Sequence, residues 1–262
     1  IEIDNSQRVL RFSPGLHRID RDLILPRGYT AYAGPGVTLR LEAKANLVSY
    51  AALHFVGTPD NPVEITSDGG QGFVVLEPEA PSFLENVRFV GLRAPDRSGW
   101  GLTGAVTFYG TKVDFRFCQF INNDSEDALN LVLSDFEISD SVFLQTRSDS
   151  LDSDFSHGTI SRSQFSGAGN DAVDVSGTRL TLNDVTIRNF GDKGLSAGEG
   201  SHINANNVQI LDGAVAVASK DSSTIQVNGL LIKDSRVGFT AYRKKPEFGH
   251  ATIFADAAVL DE

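Results

Sequence analysis

The sequence predicts an all-β chain folded as a single-stranded right-handed parallel β-helix with coils of about 22 residues, and three observations support this. First, apolar positions recur at steps of 22 or 23 residues from about residue 112 to the end. Second, each repeat contains short segments in which apolar and polar residues alternate, without the 3.6-residue period of a helix. Third, tight hairpin signals do not recur with the repeat, so successive repeats must stack as parallel strands.

Each repeat is predicted to contain two main strands. The first strand leads to a large apolar residue at a shared position. These residues are Phe120, Phe143, Phe165, Ile187, Ile210 and Ile232. The second strand alternates, so that Leu129, Leu151, Val173 and Leu195 form one column and the residues between them face the other way. Stacking the repeats therefore buries continuous apolar columns.

The N-terminal part is less regular, although it still contains short alternating segments. Residues 1–28 are expected to form a cap over the exposed edge of the first coil. Residues 91–104 lengthen one repeat, contain the single tryptophan, Trp100, and are expected to protrude as a loop. No linker interrupts the pattern, which predicts one domain over 1–262. Because a β-helix needs its ends covered, an end-to-end homo-oligomer or further domains of the same chain are expected to meet them.

Composition excludes several classes of partner. The chain has 34 acidic and 23 basic residues and a formal net charge of −11, which disfavours nucleic acid and anionic lipid surfaces as partners. No apolar run approaches the length of a membrane span. The single cysteine, Cys118, cannot form an internal disulfide. It shares a column with Ser141, Ser163 and Val185, which predicts a small core residue.

A stripe of charged residues follows the predicted second strands. One column contains Asp127, Asp149, Asp171 and Lys193, and a second contains Asn130, Asp152, Asp174 and Ser196. Asp154 follows Asp152 by two residues, and the stripe continues through Glu199, Lys220 and Arg243. Two carboxylates on neighbouring strands, about 4.8 Å apart, repel by roughly 3 kcal/mol at an effective dielectric near 20. A bound cation, a raised pKa on one acid, or Lys193 nearby would offset that repulsion.

The two columns have different interpretations. Asp127, Asp149 and Asp171 each begin a strand, where an aspartate can simply hydrogen-bond the backbone of a turn. Asp152 and Asp174 lie in mid-strand, where strand propensity disfavours aspartate. A functional role is therefore the favoured interpretation for Asp152 and Asp174, and both interpretations stay open for the first column.

The repeats resemble the right-handed parallel β-helix superfamily, which includes pectate lyases, polygalacturonases, alginate epimerases and many surface proteins. The resemblance implies an extracellular, cell-surface or periplasmic protein that binds a polysaccharide along the striped face. A lyase of this kind would bind Ca²⁺ to neutralise a uronate carboxylate and use a lysine as base. The implied metal ligands are Asp149, Asp152, Asp171 and Asp174, and the implied base is Lys193 or Lys220. The implied substrate-binding residues are Asp127, Asn130, Asp154, Glu199, Arg243 and Trp100.

Two alternatives to a lyase follow from the same residues. The stretches SLDSD, GNDAVD and GDKGLSAG resemble polygalacturonase motifs, but the DD, GHG and RIK motifs of that family are missing. In an inverting glycoside hydrolase, Asp152 and Asp174 would be the catalytic acids. The stretches GNDAVDVSGT and GDKGLSAGEGS also resemble bacterial β-helix domains found with CotH-like proteins. That likeness is compatible with a non-catalytic binding, adhesion or structural module.

Overall fold

The chain is a parallel β-helix with a spacing of about 22 residues and about 11 turns, as the sequence predicts. The computed structural model describes residues 1–97 and 99–261. Within those residues every regular element is a strand, and no helix could serve as a membrane span. Each turn contributes one strand to each of three faces of the solenoid. The face that contains the strands Asp127–Val132 and Asp149–Asp154 is called the aspartate face, and the chain then passes through the second face and the third face.

The strands of each face pair in parallel with the equivalent strands one turn away. The aspartate face contains Leu23–Leu25, Leu47–Ser49, Phe73–Leu76, Gly104–Tyr109, Asp127–Val132, Asp149–Asp154 and Val173–Ser176. The second face contains Val9–Phe12, Thr30–Ala33, Ala52–Val56, Ser82–Glu85, Lys112–Arg116, Asp135–Ser139, His157–Ser161 and Arg179–Asn183. The third face contains Gly15–Ile19, Val37–Glu42, Val63–Asp68, Val87–Val90, Gln119–Ile121, Val142–Leu144 and Gln164–Ala168. Later strands continue around the corners between faces: Thr186–Gly198, His202–Lys220, Thr224–Tyr242 and Thr252–Asp261.

The predicted apolar columns form the core. Leu129 pairs with Leu151, Leu151 with Val173, and Val173 with Leu195, and all four side chains are buried. A phenylalanine stack fills the third face: the rings of Phe120 and Phe143 are stacked with centroids 4.5 Å apart. Stacked aromatic rings add to the free energy of simple apolar burial.

Polar side chains at the corners tie successive turns together. The amide of Ser134 donates to Oγ of Ser156 (2.9 Å), and the amide of Ser156 donates to Oγ1 of Thr178 (3.1 Å). At the next corner the amide of Cys118 donates to Oγ of Ser141 (3.0 Å). Cys118 is fully buried, which confirms it as a core residue, and burial raises the pKa of its thiol to about 12.

The N-terminal cap is shorter than the 1–28 that the sequence predicts. Val9–Phe12, Gly15–Ile19 and Leu23–Leu25 pair in parallel with the following turn and so form the first coil. Their alternating apolar side chains are what draws them into the solenoid, and Leu10 is buried. Among the strands of residues 1–28, Glu2–Asp4 departs from the parallel pattern, because it runs antiparallel to Val9–Phe12.

The predicted loop at 91–104 contains a small hairpin outside the main sheet. Asp96–Arg97 pairs antiparallel with Trp100–Gly101, while Ser98 lies outside the described residues. Leu92 is buried in the solenoid, and the next strand of the aspartate face begins at Gly104. The protruding part is therefore confined to the residues around this hairpin.

Candidate functional site

The second column of the predicted stripe is aligned along the aspartate face. Asn130 pairs in register with Asp152, Asp152 with Asp174, and Asp174 with Ser196. Asp154 follows Asp152 on the same strand by two residues, so strand alternation puts it on the same side. The parallel sheet therefore brings three carboxyl groups onto one surface, with the backbones of Asp152 and Asp174 about 4.8 Å apart across strands and those of Asp152 and Asp154 about 6.6 Å apart along one strand.

Asp152 has an environment that favours its protonated form. Its carboxyl accepts a hydrogen bond from Nδ2 of Asn130 (3.0 Å), one turn earlier, which by itself would favour the ionised form but is outweighed. Burial, followed by the nearby charges of Asp127, Asp154 and Asp174, raises the pKa of Asp152 to about 9. At neutral pH this carboxyl holds a proton that it could donate.

Asp174 has a cationic partner instead. Nζ of Lys220 lies 3.4 Å from its Oδ1, and Lys220 is itself a buried residue. The lysine side chain passes close to Gly198, whose hypothetical Cβ would lie 3.5 Å from Cε of Lys220. Asp152 and Asp174 thus share a column but differ in their partners, which are the amide of Asn130 and the ammonium of Lys220.

Asp149 and Asp171 hold the corner where each turn enters the aspartate face. Oδ1 of Asp149 accepts hydrogen bonds from the amide of Asp171 (2.9 Å) and from Nδ2 of Asn170 (2.7 Å). Oδ1 of Asp171 accepts the amide of Lys193 (3.0 Å). Burial is the largest cause that raises the pKa of both carboxyls, to about 6 for Asp171. These contacts support the backbone-capping interpretation for this pair.

Asp127 lies one turn before Asp149 and is only 2% exposed. Its Oδ2 is buried and accepts no hydrogen bond from the described residues. Burial, opposed by a hydrogen bond with Thr103 and reinforced by the charge of Asp149, raises the pKa of Asp127 to about 7. Leaving such an oxygen unsatisfied costs free energy, so Asp127 is held in place by the surrounding fold together with its hydrogen bond with Thr103.

Lys193 is not placed as the neutral base that the lyase interpretation requires. Its Nζ contacts Oδ1 of Asp171 at 3.4 Å and also pairs with Asp192. Burial alone would lower the pKa of Lys193, but the hydrogen bond to Asp192 and the charge of Asp171 outweigh it and raise that pKa. The amine therefore stays protonated, which argues against Lys193 as the base.

The residues that the resemblance assigns to Ca²⁺ do not fit that ion. Among residues 1–97 and 99–261, no three His, Cys, Asp or Glu side chains are grouped so that they could hold a metal. Oδ1 of Asp149 and Oδ1 of Asp171 accept backbone amides, while Asp174 faces the ammonium of Lys220. Calcium needs several carboxylate or carbonyl oxygens that converge on one point, and these oxygens face protein donors.

The remaining predicted contacts lie toward the edges of the face. Glu199 forms an ion pair with Lys245 of the following loop. The spacing of the stripe does not include Lys245. Arg243 is exposed in that same loop. Trp100 is 37% exposed on the hairpin, and no contact with the central carboxyls is recorded for it or for Arg243 within the described residues. The structure thus brings together the acids and two lysines, but not Trp100.

One exposed aromatic residue was also missed. Phe155 directly follows Asp154 at the end of its strand and is 56% exposed. The signal in the sequence is a large apolar residue at a corner position, where the next repeat carries Gly177. The 22-residue period identifies the buried columns, and Phe155 lies outside them because the corner turns its side chain outward.

Comparison with known proteins gives similarity of fold only at low identity. No protein-family model and no curated protein matches the chain. Among solved structures, the periplasmic alginate epimerase AlgG is 10% identical over 95% of this chain and 78% of that one, with a TM-score of 0.45. The catalytic domain of a GH87 α-1,3-glucanase in complex with nigerose is 9% identical over 97% of this chain and 65% of that one, with a TM-score of 0.42. The Streptococcus pneumoniae surface adhesin PfbA is 8% identical over 97% and 91%, with a TM-score of 0.30.

Proposed function

We propose that this protein is an inverting glycoside hydrolase that cleaves a polysaccharide lying along the aspartate face. Asp152 is the general acid and Asp174 is the general base. The observation that carries the proposal is the registered pair of carboxyls with opposite surroundings: burial and like charges around Asp152, and the ammonium of Lys220 beside Asp174. Two carboxyls kept in different protonation states are what glycoside hydrolysis requires.

The reaction needs one water and no further reactant. Asp152 gives its proton to the glycosidic oxygen as the bond between that oxygen and the anomeric carbon breaks. Asp174 takes a proton from a water molecule whose oxygen bonds to the anomeric carbon from the opposite side. Adjacent strands set the backbones of the pair about 4.8 Å apart, whereas inversion needs about 6.5–9.5 Å between the carboxyls, so the two side chains have to diverge. The partner of Asp152 one turn before the pair and the partner of Asp174 two turns after it favour that divergence, which leaves room for the water.

A basic end of the aspartate face supports an acidic polysaccharide as substrate. Lys193 and Lys220 follow the acids along the solenoid, and the exposed Arg243 and Lys244 continue in the next loop. No ion pair within the described residues is recorded for Arg243 or Lys244, so both could meet sugar carboxylates. A polymeric substrate of this kind also fits an extracellular, cell-surface or periplasmic location, as the sequence resemblance implies.

The lyase interpretation is less well supported than hydrolysis, because Lys193 and Lys220 are each paired with a carboxylate. A non-catalytic polysaccharide-binding module is the second candidate function. It is favoured by the hydrogen bonds that Asp149 and Asp171 accept from backbone amides, because these bonds stabilise the fold and explain part of the acidic stripe without catalysis.

The decisive experiment incubates the protein with acidic and neutral polysaccharides and measures new reducing ends together with ultraviolet absorbance. The hydrolase proposal expects reducing ends without the absorbance of an unsaturated sugar, and loss of activity in Asp152→Asn and Asp174→Asn. Asp114→Asn is the matched control, because burial also raises the pKa of Asp114 but that residue lies on the second face. Absorbance would favour a lyase, and binding without any cleavage would favour the module.

A further inference from the structure

The corner that follows the aspartate face forces a left-handed backbone in turn after turn. The equivalent residues have positive φ angles: Leu133 (49°), Phe155 (50°), Gly177 (61°), Glu199 (58°) and Asp221 (51°). Glycine, asparagine and aspartate tolerate this conformation best, whereas bulky side chains are strained in it. Leu133 and Phe155 are therefore unexpected on local grounds, and their apolar side chains are also exposed.

The neighbouring turn leaves room for the ring of Phe155. A Cβ built on Gly177 would lie 2.6 Å from Cδ1 of Phe155, so any larger residue at 177 would displace the ring. The ring is thus supported by the backbone of the next turn while 56% of the residue stays exposed. An apolar ring that is exposed to water is unfavourable, and covering it with a ligand lowers the free energy of the complex.

A groove runs along the second-face side of this corner. Its volume is about 510 Å³, which lies within the usual range of small-ligand sites. The lining combines residues 78–81 with Leu133, Phe155, Lys112, Asp135 and His157. Nδ1 of His157 lies 3.6 Å from Oδ1 of Asp135, so the groove offers hydrogen-bonding groups beside the apolar ring.

We propose that Phe155 is a sugar-stacking platform, and that the groove holds one pyranose ring of the polysaccharide next to the catalytic pair. This rests on the function proposed above. Phe155 follows Asp154 directly, so a polysaccharide that lies along the aspartate face at Asp152 passes beside this corner. The C–H face of the pyranose covers the phenyl ring, while Lys112, Asp135 and His157 meet its hydroxyl groups.

The test measures binding of a galacturonate hexasaccharide by calorimetry in the Asp152→Asn background, where turnover is blocked. Phe155→Ala is expected to weaken binding about tenfold, and Phe155→Trp is expected to restore it. Phe117→Ala is the matched control, because Phe117 is 51% exposed with a φ of 52° but lies at the corner between the second and third faces. Phe117→Ala should leave the dissociation constant unchanged.

Three results would overturn the platform. They are an unchanged dissociation constant in Phe155→Ala, an equal loss in Phe117→Ala, or no binding of the hexasaccharide by the Asp152→Asn protein at about 10 mM. Thermal midpoints show whether Phe155→Ala is folded. If it is not, the binding of the hexasaccharide by Phe155→Trp, which keeps an aromatic ring, tests the platform instead. The two proposals fail separately: full turnover by Asp152→Asn removes the hydrolase mechanism, whereas the effect of Phe155 is measured in binding.

Discussion

Nζ of Lys220 lies 3.4 Å from Oδ1 of Asp174, although the two residues are 46 positions, or two turns, apart in the chain. The lysine reaches back along the solenoid past Gly198 rather than outward into solvent, and its side chain is only 10% exposed. Asp152, one turn before Asp174, has the neutral amide of Asn130 as its partner. The two carboxyls of the registered pair are therefore held by side chains that come from different turns.

Removing Lys220 should lower activity through the loss of one ion pair. In Lys220→Met the ammonium that lies 3.4 Å from Oδ1 of Asp174 is gone, so nothing fixes the orientation of that carboxyl from this side. The kcat/KM on an acidic polysaccharide is expected to fall by about tenfold. Lys233→Met is the control, because Lys233 forms an exposed ion pair with Asp261 away from the aspartate face. A Lys220→Met kcat/KM equal to that of the wild type would remove this role.

Asp152 should make the folded protein less stable as the pH rises. From about pH 4 to about pH 9 the folded state keeps a proton that an unfolded aspartate has released, so the free energy of unfolding falls with pH. Asp152→Asn removes this dependence. The variant should match the wild type near pH 4 and exceed it by up to about 5 kcal/mol at pH 8, because each pH unit in this range costs the wild type up to about 1.4 kcal/mol.

The control for this measurement is Asp140, an aspartate whose pKa is lowered on folding rather than raised. The hydrogen bond from Arg162 is the main cause that lowers the pKa of Asp140, so its contribution to stability is present at neutral pH and lost in acid. Asp140→Asn should therefore be less stable than the wild type at pH 8 and converge with it as the pH falls. Denaturation curves at several pH values measure both variants, and parallel curves for wild type and Asp152→Asn would contradict the assignment of Asp152.

The repeat predicts the solenoid because one period controls both pairing and burial. A residue of the core column, such as Phe143, is placed by its distance along the chain from Phe120 and Phe165, and the structure stacks all three rings. The same period predicts that Asp152 and Asp174 lie in register, which is confirmed. Column membership needs only the strand spacing and the alternation of side chains.

The period does not predict where a long side chain goes. Lys193 reaches back one turn to Asp171, whereas Lys220 reaches back two turns to Asp174, although both belong to the same stripe. Spacing alone does not encode that difference. Roles that depend on the pairing of a lysine could therefore not be read from spacing, and the assignment of Lys193 or Lys220 as the base stays a prediction.

Calcium should not stabilise the protein. The oxygens assigned to the ion face backbone amides or Lys220, so the thermal midpoint should stay within about 1 °C up to about 10 mM Ca²⁺. The double variant Asp152→Asn/Asp174→Asn should give the same midpoint with and without Ca²⁺. A wild-type midpoint that rises with Ca²⁺, together with a double variant that does not respond, would show a metal site and return the lyase mechanism to first place.

Asp171 should matter for stability through one hydrogen bond rather than through its charge. Its Oδ1 accepts the amide of Lys193, and an asparagine oxygen can accept the same bond whereas alanine cannot. Below about pH 4, where the folded protein and the unfolded chain both keep the proton of Asp171, Asp171→Asn should match the wild type. Asp171→Ala leaves a buried donor unsatisfied and should lower the free energy of unfolding by about 1–3 kcal/mol in denaturant titrations.

A comparison at higher pH and a neighbouring aspartate separate this bond from the ion pair with Lys193. Between about pH 4 and about pH 6 the folded state keeps a proton that an unfolded aspartate releases, so Asp171→Asn should become the more stable of the two, and the difference should stay constant above that range. Asp192→Ala removes the exposed partner of the same lysine and should change stability by less than about 1 kcal/mol. If Asp192→Ala costs as much as Asp171→Ala, the lysine ion pairs hold this corner, and the amide bond is not its main support.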